Sequence, residues 1–434
     1  MKQRYDSYKP SGIEWIGDIP SHWDLKRLRL VCEFRNGYTP SKDNKLFWID
    51  GTIPWYRMED IRDSGRFLNE AKQYVTEEAV KGGGLFEAGS FILATTATIG
   101  EHAMLIVDSL ANQRFTNLRI RKSLARSAVK EFFFYYLYVI DEFCKSSTKT
   151  ATFPAMNMDD LRNFKVCLPP VNEQEAIAAW LDQKCGEIDA AIAKVDREIE
   201  LIDELKQSEI SRVVTRGLNP NAPLRPSGID WIGEIPEHWT IQPIKYPFTL
   251  FSGATPKTDN KCFWDGEIVW VTPADYKTED HFIVSSKKQI TIEGKNSCAT
   301  ELVPEGSLIF SKRAPIGTVA IASIPLCTNQ GCISCVPKRN TESRYFYYLF
   351  SIATREFENY GSGATFLEIS ATNFADFKIS VPPLAEQCEI ADYLDQKCAE
   401  IDDLKSKLKK KRDTLVELRQ SMISEVVTGK RKVV

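Results

Sequence analysis

Apolar residues recur along two stretches of this chain with the alternating steps of four and three that let one helix wind against another. In the first stretch Leu181, Cys185, Ile188, Ile192, Val195, Ile199 and Ile202 keep that step, and Asp, Glu, Lys and Arg fill the positions between them. In the second, Leu394, Cys398, Ile401, Leu404, Leu408, Leu415, Leu418 and Met422 follow it more loosely. Lys411 falls on the seam there, and two successive steps of three, at Ile401 and Leu404, predict a local shift of register. Pro169-Pro170 and Pro382-Pro383 bound the stretches on their N-terminal sides, because proline lacks the amide donor a helix interior needs. Each stretch predicts one helix of roughly 40 residues, a rod of about 60 Å at ~1.5 Å per residue. Two amphipathic helices lying on separate cores would show similar apolar positions. The narrow seams and densely charged outer faces favour a shared coiled coil.

The two stretches are copies. LPPVNEQEAIAAWLDQKCGEID from Leu168 and VPPLAEQCEIADYLDQKCAEID from Val381 agree at 14 of 22 positions without a gap, and both helices close on Val-Val-Thr. The segments before them are copies too. Residues 10–23 (PSGIEWIGDIPSHW) and 226–239 (PSGIDWIGEIPEHW) match at 11 of 14 positions and predict an apolar clasp without regular structure. Thr39-Pro40 pairs with Thr255-Pro256, Phe47-Trp48 with Phe263-Trp264, Trp55 with Trp270, and Asn112-Gln113 with Asn329-Gln330. FYYLY from Phe134 answers FYYLF from Phe346, each predicting a buried helix beneath a sheet. Alternating segments at 90–94, 104–107 and 118–120 predict short strands. A repeat of half the chain means two similar units. The expected fold is α+β: a globular domain at 1–160, a long helix at 161–217, a second globular domain at 218–375 and a second long helix at 376–434. The two helices would pair antiparallel, with pseudo-two-fold symmetry and neighbouring termini.

Composition narrows the class. A chain of 434 residues exceeds one hydrophobic core. The polar start and the short longest apolar run, 132–140, give neither a signal-peptide core nor a membrane span. Eleven cysteines without a secretory signal point to the cytoplasm. The net charge of −3 does not announce a nucleic-acid binder, so any basic surface has to be gathered on one face.

Catalytic patterns are missing. There is no phosphate-binding GxxxxGK[ST] loop, no glycine-rich dinucleotide turn and no Asn/Asp-Pro-Pro-Tyr/Phe segment. Glu293-Gly294-Lys295 with Asp280 imitates a nuclease pattern at the frequency chance allows. Cys327, Cys332 and Cys335 hint at zinc, yet they stand where Leu110, Phe115 and Leu118 stand in the first copy, which favours core packing. His22 and His238, beside tryptophans at one repeat position, read as structural. No catalytic or metal-binding residue is therefore expected.

What the duplication offers is one frame with different contents. Thr95, Thr96 and Thr98 fall in a segment whose counterpart holds Lys312 and Arg313, and Arg57 after Trp55 answers Thr272 after Trp270. Arginine and lysine suit guanine edges and phosphates, and threonine suits the thymine methyl. For any single residue, drift at a loop tip is the simpler account. Together they form the candidate DNA-contacting set.

These features resemble the specificity subunit of type I restriction–modification systems. The resemblance covers the whole chain and rests on Pro-Pro-x-x-Glu-Gln-x-x-Ile at 169–177 and 382–390, the Gly-x-Thr-Pro segments at Gly37 and Gly253, and the Asn-Gln pairs. It implies that each globular domain reads half of a bipartite double-stranded DNA site and that the helices set the spacing. Two modification subunits would dock on the helices, and restriction subunits would join them. S-adenosylmethionine, ATP and magnesium would belong to those partners, with no cofactor or catalytic residue here. The rival readings are a coiled-coil scaffold that binds only proteins and a self-sufficient methyltransferase or nuclease.

Overall fold

The computed structural model describes residues 4–14, 16–147, 155–276, 281–313, 315–361 and 368–433, so Trp15, Asp280 and Ala314 lie outside the described residues. The chain divides into two compact units, Met1–Asp196 with Lys410–Val434, and Arg197–Lys409. Each long helix, Val171–Arg216 and Leu384–Val427, thus opens in one unit and closes in the other.

The first unit is built on a five-stranded sheet in the order Cys32–Asn36, Phe115–Ile120, Phe91–Ala94, His102–Leu105, Phe67–Leu68. All neighbours are antiparallel except the last pair. One sheet face, with Phe91, Leu93, Met104 and Leu118, packs on the helix Lys130–Ser147. The other, with Ile92, Ala94, Ala103 and Leu105, covers Tyr56, Met58 and Ile61. Burial on both faces explains why Phe91–Ala94 is continuously apolar where a half-exposed strand would alternate. A three-stranded sheet, Leu110–Ala111, Ile53–Tyr56, Tyr74–Val75, stands beside it.

The second unit repeats this plan. Its sheet runs Phe248–Ser252, Cys332–Pro337, Leu308–Ser311, Val319–Ala322, Phe282–Ile283, and its aromatic helix is Ser343–Ile352. Cys332 and Cys335 are buried in this sheet, and Cys327 in the strand Leu326–Thr328 of the three-stranded sheet beside it, as Phe115, Leu118 and Leu110 are in the first unit. The expected irregular clasps are closed by small hairpins, Tyr8–Pro10 with Asp18–Pro20 and Leu224–Pro226 with Glu234–Pro236. The prolines end these strands after three residues, too few for an alternating pattern to show.

The repeated Glu-Gln has a clear task. Glu173 accepts hydrogen bonds from Trp23 Nε1 (3.2 Å) and lies 2.9 Å from His22 Nε2; Glu386 does the same for Trp239 (3.0 Å) and His238 (2.8 Å). Gln174, fully buried, accepts from the Val129 amide (2.8 Å) and donates to the Ser127 and Pro169 carbonyls (2.9 and 2.8 Å). Gln387 accepts from the Glu342 amide (2.9 Å) and donates to the Pro382 carbonyl (2.8 Å). Each helix start is thereby locked to the domain preceding it, with its buried amide satisfied.

Within the first unit Leu181 and Cys185 share a core with Met422, Ile423, Val426 and Val427, and Arg412 pairs with Asp196 (2.7 Å) and Arg419 with Asp189 (2.9 Å). Within the second, Ile210, Val213 and Val214 meet Ile390, Leu394 and Cys398, and Lys405 pairs with Asp203 (2.5 Å) and Lys206 with Asp402 (2.7 Å). Numbers rise along one helix as they fall along the other, so the pairing is antiparallel in each unit.

The seam of the second helix needs correcting. Leu404 and Leu418 are 48% and 53% exposed, and Lys411 is exposed. The inward step runs Leu394, Cys398, Ile401, Lys405, Leu408, Arg412, Leu415, Arg419, Met422, an unbroken alternation of four and three. The three cations lie at heptad spacing, and each reaches an aspartate of the first helix. Val195 and Ile401 are buried, while Ile188, Ile192, Ile199, Ile202, Leu408 and Leu415 are half-buried, as befits a two-helix seam with open flanks.

Candidate nucleic-acid interface

In each unit three segments converge at one corner: the Gly-x-Thr-Pro loop, the end of the tryptophan strand and the Asn-Gln turn. Gly37 lies so close to the turn that a Cβ would sit 2.1 Å from the Asn112 carbonyl oxygen, and at Gly253 the corresponding distance to Asn329 is 2.0 Å. Only glycine allows the two backbones to touch. The Tyr38 amide donates to the Ala111 carbonyl (2.9 Å), Trp55 Nε1 to the Tyr38 carbonyl (2.9 Å), and the Asn112 amide to the Tyr56 carbonyl (3.0 Å). Ala254 to Thr328 (3.0 Å), Trp270 to Ala254 (3.0 Å) and Asn329 to Val271 (2.9 Å) reproduce the set. The Thr39 hydroxyl bonds Gln113 Oε1, as Thr255 bonds Gln330. The tryptophan pairs Trp48–Trp55 and Trp264–Trp270 meet edge to face at 5.0 and 5.1 Å.

The residue after each tryptophan strand is held by an aspartate. Asp60 Oδ2 accepts from the Arg57 amide (2.6 Å) and Oδ1 from the Lys72 amide (2.8 Å). Asp275 accepts from the amides of Thr272 (2.8 Å) and Lys287 (2.9 Å) in the same way. The frame is therefore common to both copies, and it is held by backbone groups and by the repeated Trp, Thr, Gln and Asp side chains, which leaves Arg57 and Arg114 free to differ from their counterparts.

In the first unit the corner opens into a cleft of about 480 Å³ lined by Thr39, Lys42, Trp55, Arg57, Arg62 and Arg114, among others. The Arg57 guanidinium stands 6.0 Å from the Trp55 ring centre and is paired to Glu59. Lys42, Arg62 and Arg114 are exposed and have no ion-pair partner among the described residues. On the neighbouring sheet Arg119 is neutralised by Glu33 (2.5 Å) and Glu87, and Arg35 donates to the carbonyls of Gly83, Gly84 and Leu85. The slightly acidic chain thus carries these three unpaired cations at the rim of this one cleft.

The candidate residues separate accordingly. Arg57 lines the cleft, and Thr272 occupies its counterpart with its hydroxyl donating to Asp275 Oδ2 (2.6 Å). Thr95 is corrected: it is 6% exposed, its hydroxyl 3.2 Å from that of Thr116, so it lies inside the sheet and presents nothing at the surface. Thr96 and Thr98 are half-buried, flank Ala97 at a left-handed φ of 64°, and do not line the cleft. Lys312 and Arg313 both pair with Glu368, at 3.0 and 2.8 Å. Lys42, Arg62, Gln113 and Arg114 were missed. Arg114 had a signal, since it directly follows the repeated Asn-Gln and its counterpart is Gly331.

Comparison with known proteins matches the family described as the type I restriction modification DNA specificity domain at residues 20–201 and again at 236–412. The specificity subunit of the type I restriction enzyme EcoprrI of Escherichia coli is 45% identical over 152 residues, covering 35% of this chain and 38% of that protein. The MjaIX specificity subunit of Methanocaldococcus jannaschii is 35% identical over 190 residues, 43% of each chain. The chain thus spans less than half the length of these two relatives. The putative MjaX specificity subunit of the same organism aligns over 96% of both chains at 25% identity. The HsdS subunit from Thermoanaerobacter tengcongensis shares the fold at a TM-score of 0.52 and 19% identity, over 95% of this chain and 98% of that one. A chain from a structure of the type I R-M system does so at 0.71 and 19%, over 94% and 98%.

Proposed function

The chain belongs to the family of type I restriction–modification DNA specificity subunits, with two target-recognition domains in tandem, and from this premise we propose that each unit reads one half of a split double-stranded DNA site through its corner. The observation that carries the reading is the duplicated frame: one backbone architecture written twice, with Arg57 and Arg114 lining the corner in one copy, and in the other Thr272, its hydroxyl on Asp275, and Gly331, which has no side chain. Two readers that share a frame and differ in the groups it presents recognise two different short sequences, so the site is bipartite and non-palindromic. The antiparallel helices set the spacing between the halves and dock two modification subunits. Those subunits supply S-adenosylmethionine and methylate adenine, and restriction subunits supply ATP- and magnesium-dependent cleavage. This chain contributes recognition and assembly and no bond-making step.

The family relatives are named as specificity subunits, which supports this reading over a scaffold that binds only proteins. Among the described residues no helix is long and apolar enough to cross a membrane. The reducing chemistry implied by eleven unpaired cysteines supports a cytoplasmic site of action.

Methylome sequencing of the source cell tests the proposal. One split adenine motif should be present and should vanish when this gene is deleted; an unchanged methylome refutes it. Binding of the assembled complex to DNA should weaken steeply with salt, through counterion release.

A further inference from the structure

We propose that Arg57 and Arg114 make the first unit a guanine reader, and that the second unit reads its half-site without a cation from the corresponding positions. The inference rests on the DNA-reading function proposed above and names the base class that one corner selects.

The duplication allows the two corners to be compared position by position. Ser41-Lys42 is answered by Lys257-Thr258, so charge in the Gly-x-Thr-Pro loop is balanced between the copies. Arg57 and Arg114 are answered by Thr272 and Gly331, so two guanidiniums are present in one corner and absent from the other. The cations that the second unit has in exchange, Lys312 and Arg313, are both drawn onto Glu368.

The two arginines are also unlike ordinary surface arginines. Arg57 is steadied by the Trp55 ring and by Glu59, which takes one terminal nitrogen; its Nε is buried, so the guanidinium meets a ligand through its terminal nitrogens. Arg114 leaves the Asn-Gln turn, where the Asn112 side chain accepts from the Arg114 amide (2.9 Å) and fixes its backbone, while its guanidinium has no partner among the described residues. A guanidinium on an anchored backbone beside an aromatic ring suits the O6/N7 edge of guanine, which it engages with two hydrogen bonds. The exposed Lys42 and Arg62 at the same cleft offer charge for phosphates, and the methylation readout separates that role from base contact.

The test is made in the source cell, with Arg57→Ala, Arg114→Ala and Arg114→Gln introduced into the full chain and the methylome sequenced. Each alanine variant should relax a G·C pair in one half-site, with discrimination there falling about ten- to a hundredfold. The other half-site and the spacer should stay unchanged. Arg114→Gln should move the preference at its pair toward A·T, since glutamine fits adenine N6/N7. If Arg57→Ala does not accumulate, Arg114 carries the test, because its side chain holds no structural contact. Methylation that weakens uniformly with the motif intact would make the arginines phosphate contacts and overturn the assignment, as would relaxation confined to A·T pairs. A wild-type methylome indifferent to this gene would instead overturn the DNA-reading function itself.

Discussion

Asp141 is buried beneath the first sheet, 2.5 Å from His102 Nδ1 and 3.8 Å from an Arg66 nitrogen. Burial raises the pKa of the Asp141 carboxyl and lowers that of the His102 imidazole, each toward its neutral form. The second unit builds the same place from Val319 and Ala353, both buried, and so demonstrates that the fold does not require the polar cluster. Removing one partner strands the other; removing both copies the apolar solution. Asp141→Ala alone is expected to cost ~1–3 kcal/mol, while His102→Val with Asp141→Ala should recover most of that loss in urea denaturation. A double variant as unstable as the single would contradict this. Nothing in the sequence around His102 announced the cluster, because its members lie 39 residues apart and meet only when the aromatic helix covers the sheet.

At the scale of elements, the long helices were legible because a heptad seam is a local pattern that any sufficiently long amphipathic helix must carry. The details of the second seam were not, because apolar type is a poor proxy for position on a seam flanked by charge. Leu404 and Leu418 are apolar and exposed, whereas Lys405, Arg412 and Arg419 take the inward step, lay their stems along the seam and reach the first helix's aspartates. Substitutions separate the two assignments. Leu181→Ala, in the core of the first unit, should cost ~2–5 kcal/mol in thermal or urea unfolding. Leu404→Ala and Leu418→Ala should stay within ~0.5 kcal/mol. Comparable losses at Leu404 would restore the slipped seam.

For the whole molecule, the proposal makes helix length the determinant of the spacer in the recognised site. Seven residues inserted into each long helix at its midpoint, one heptad of each, preserve the inward face of both. The methylome of a cell carrying that variant should show the same two half-sites with a longer spacer; an unaltered spacer would remove the helices from the measurement. Sequence alone determined the duplication, the α+β plan, the long helices and the family, because those depend on periodicity and on motifs that read out within a few tens of residues. It also supplied the parts of each corner, Gly37, Trp55 and Asn112 in one copy, Gly253, Trp270 and Asn329 in the other. Only the tertiary structure decided which side chains line the corner. It turned Thr95 inward, drew Lys312 and Arg313 onto Glu368, and left Arg114 open beside Arg57. The reason is physical: whether a polar side chain faces solvent, a partner or the core is set by what the rest of the chain brings against it, and here those neighbours come from 21 to 56 residues away.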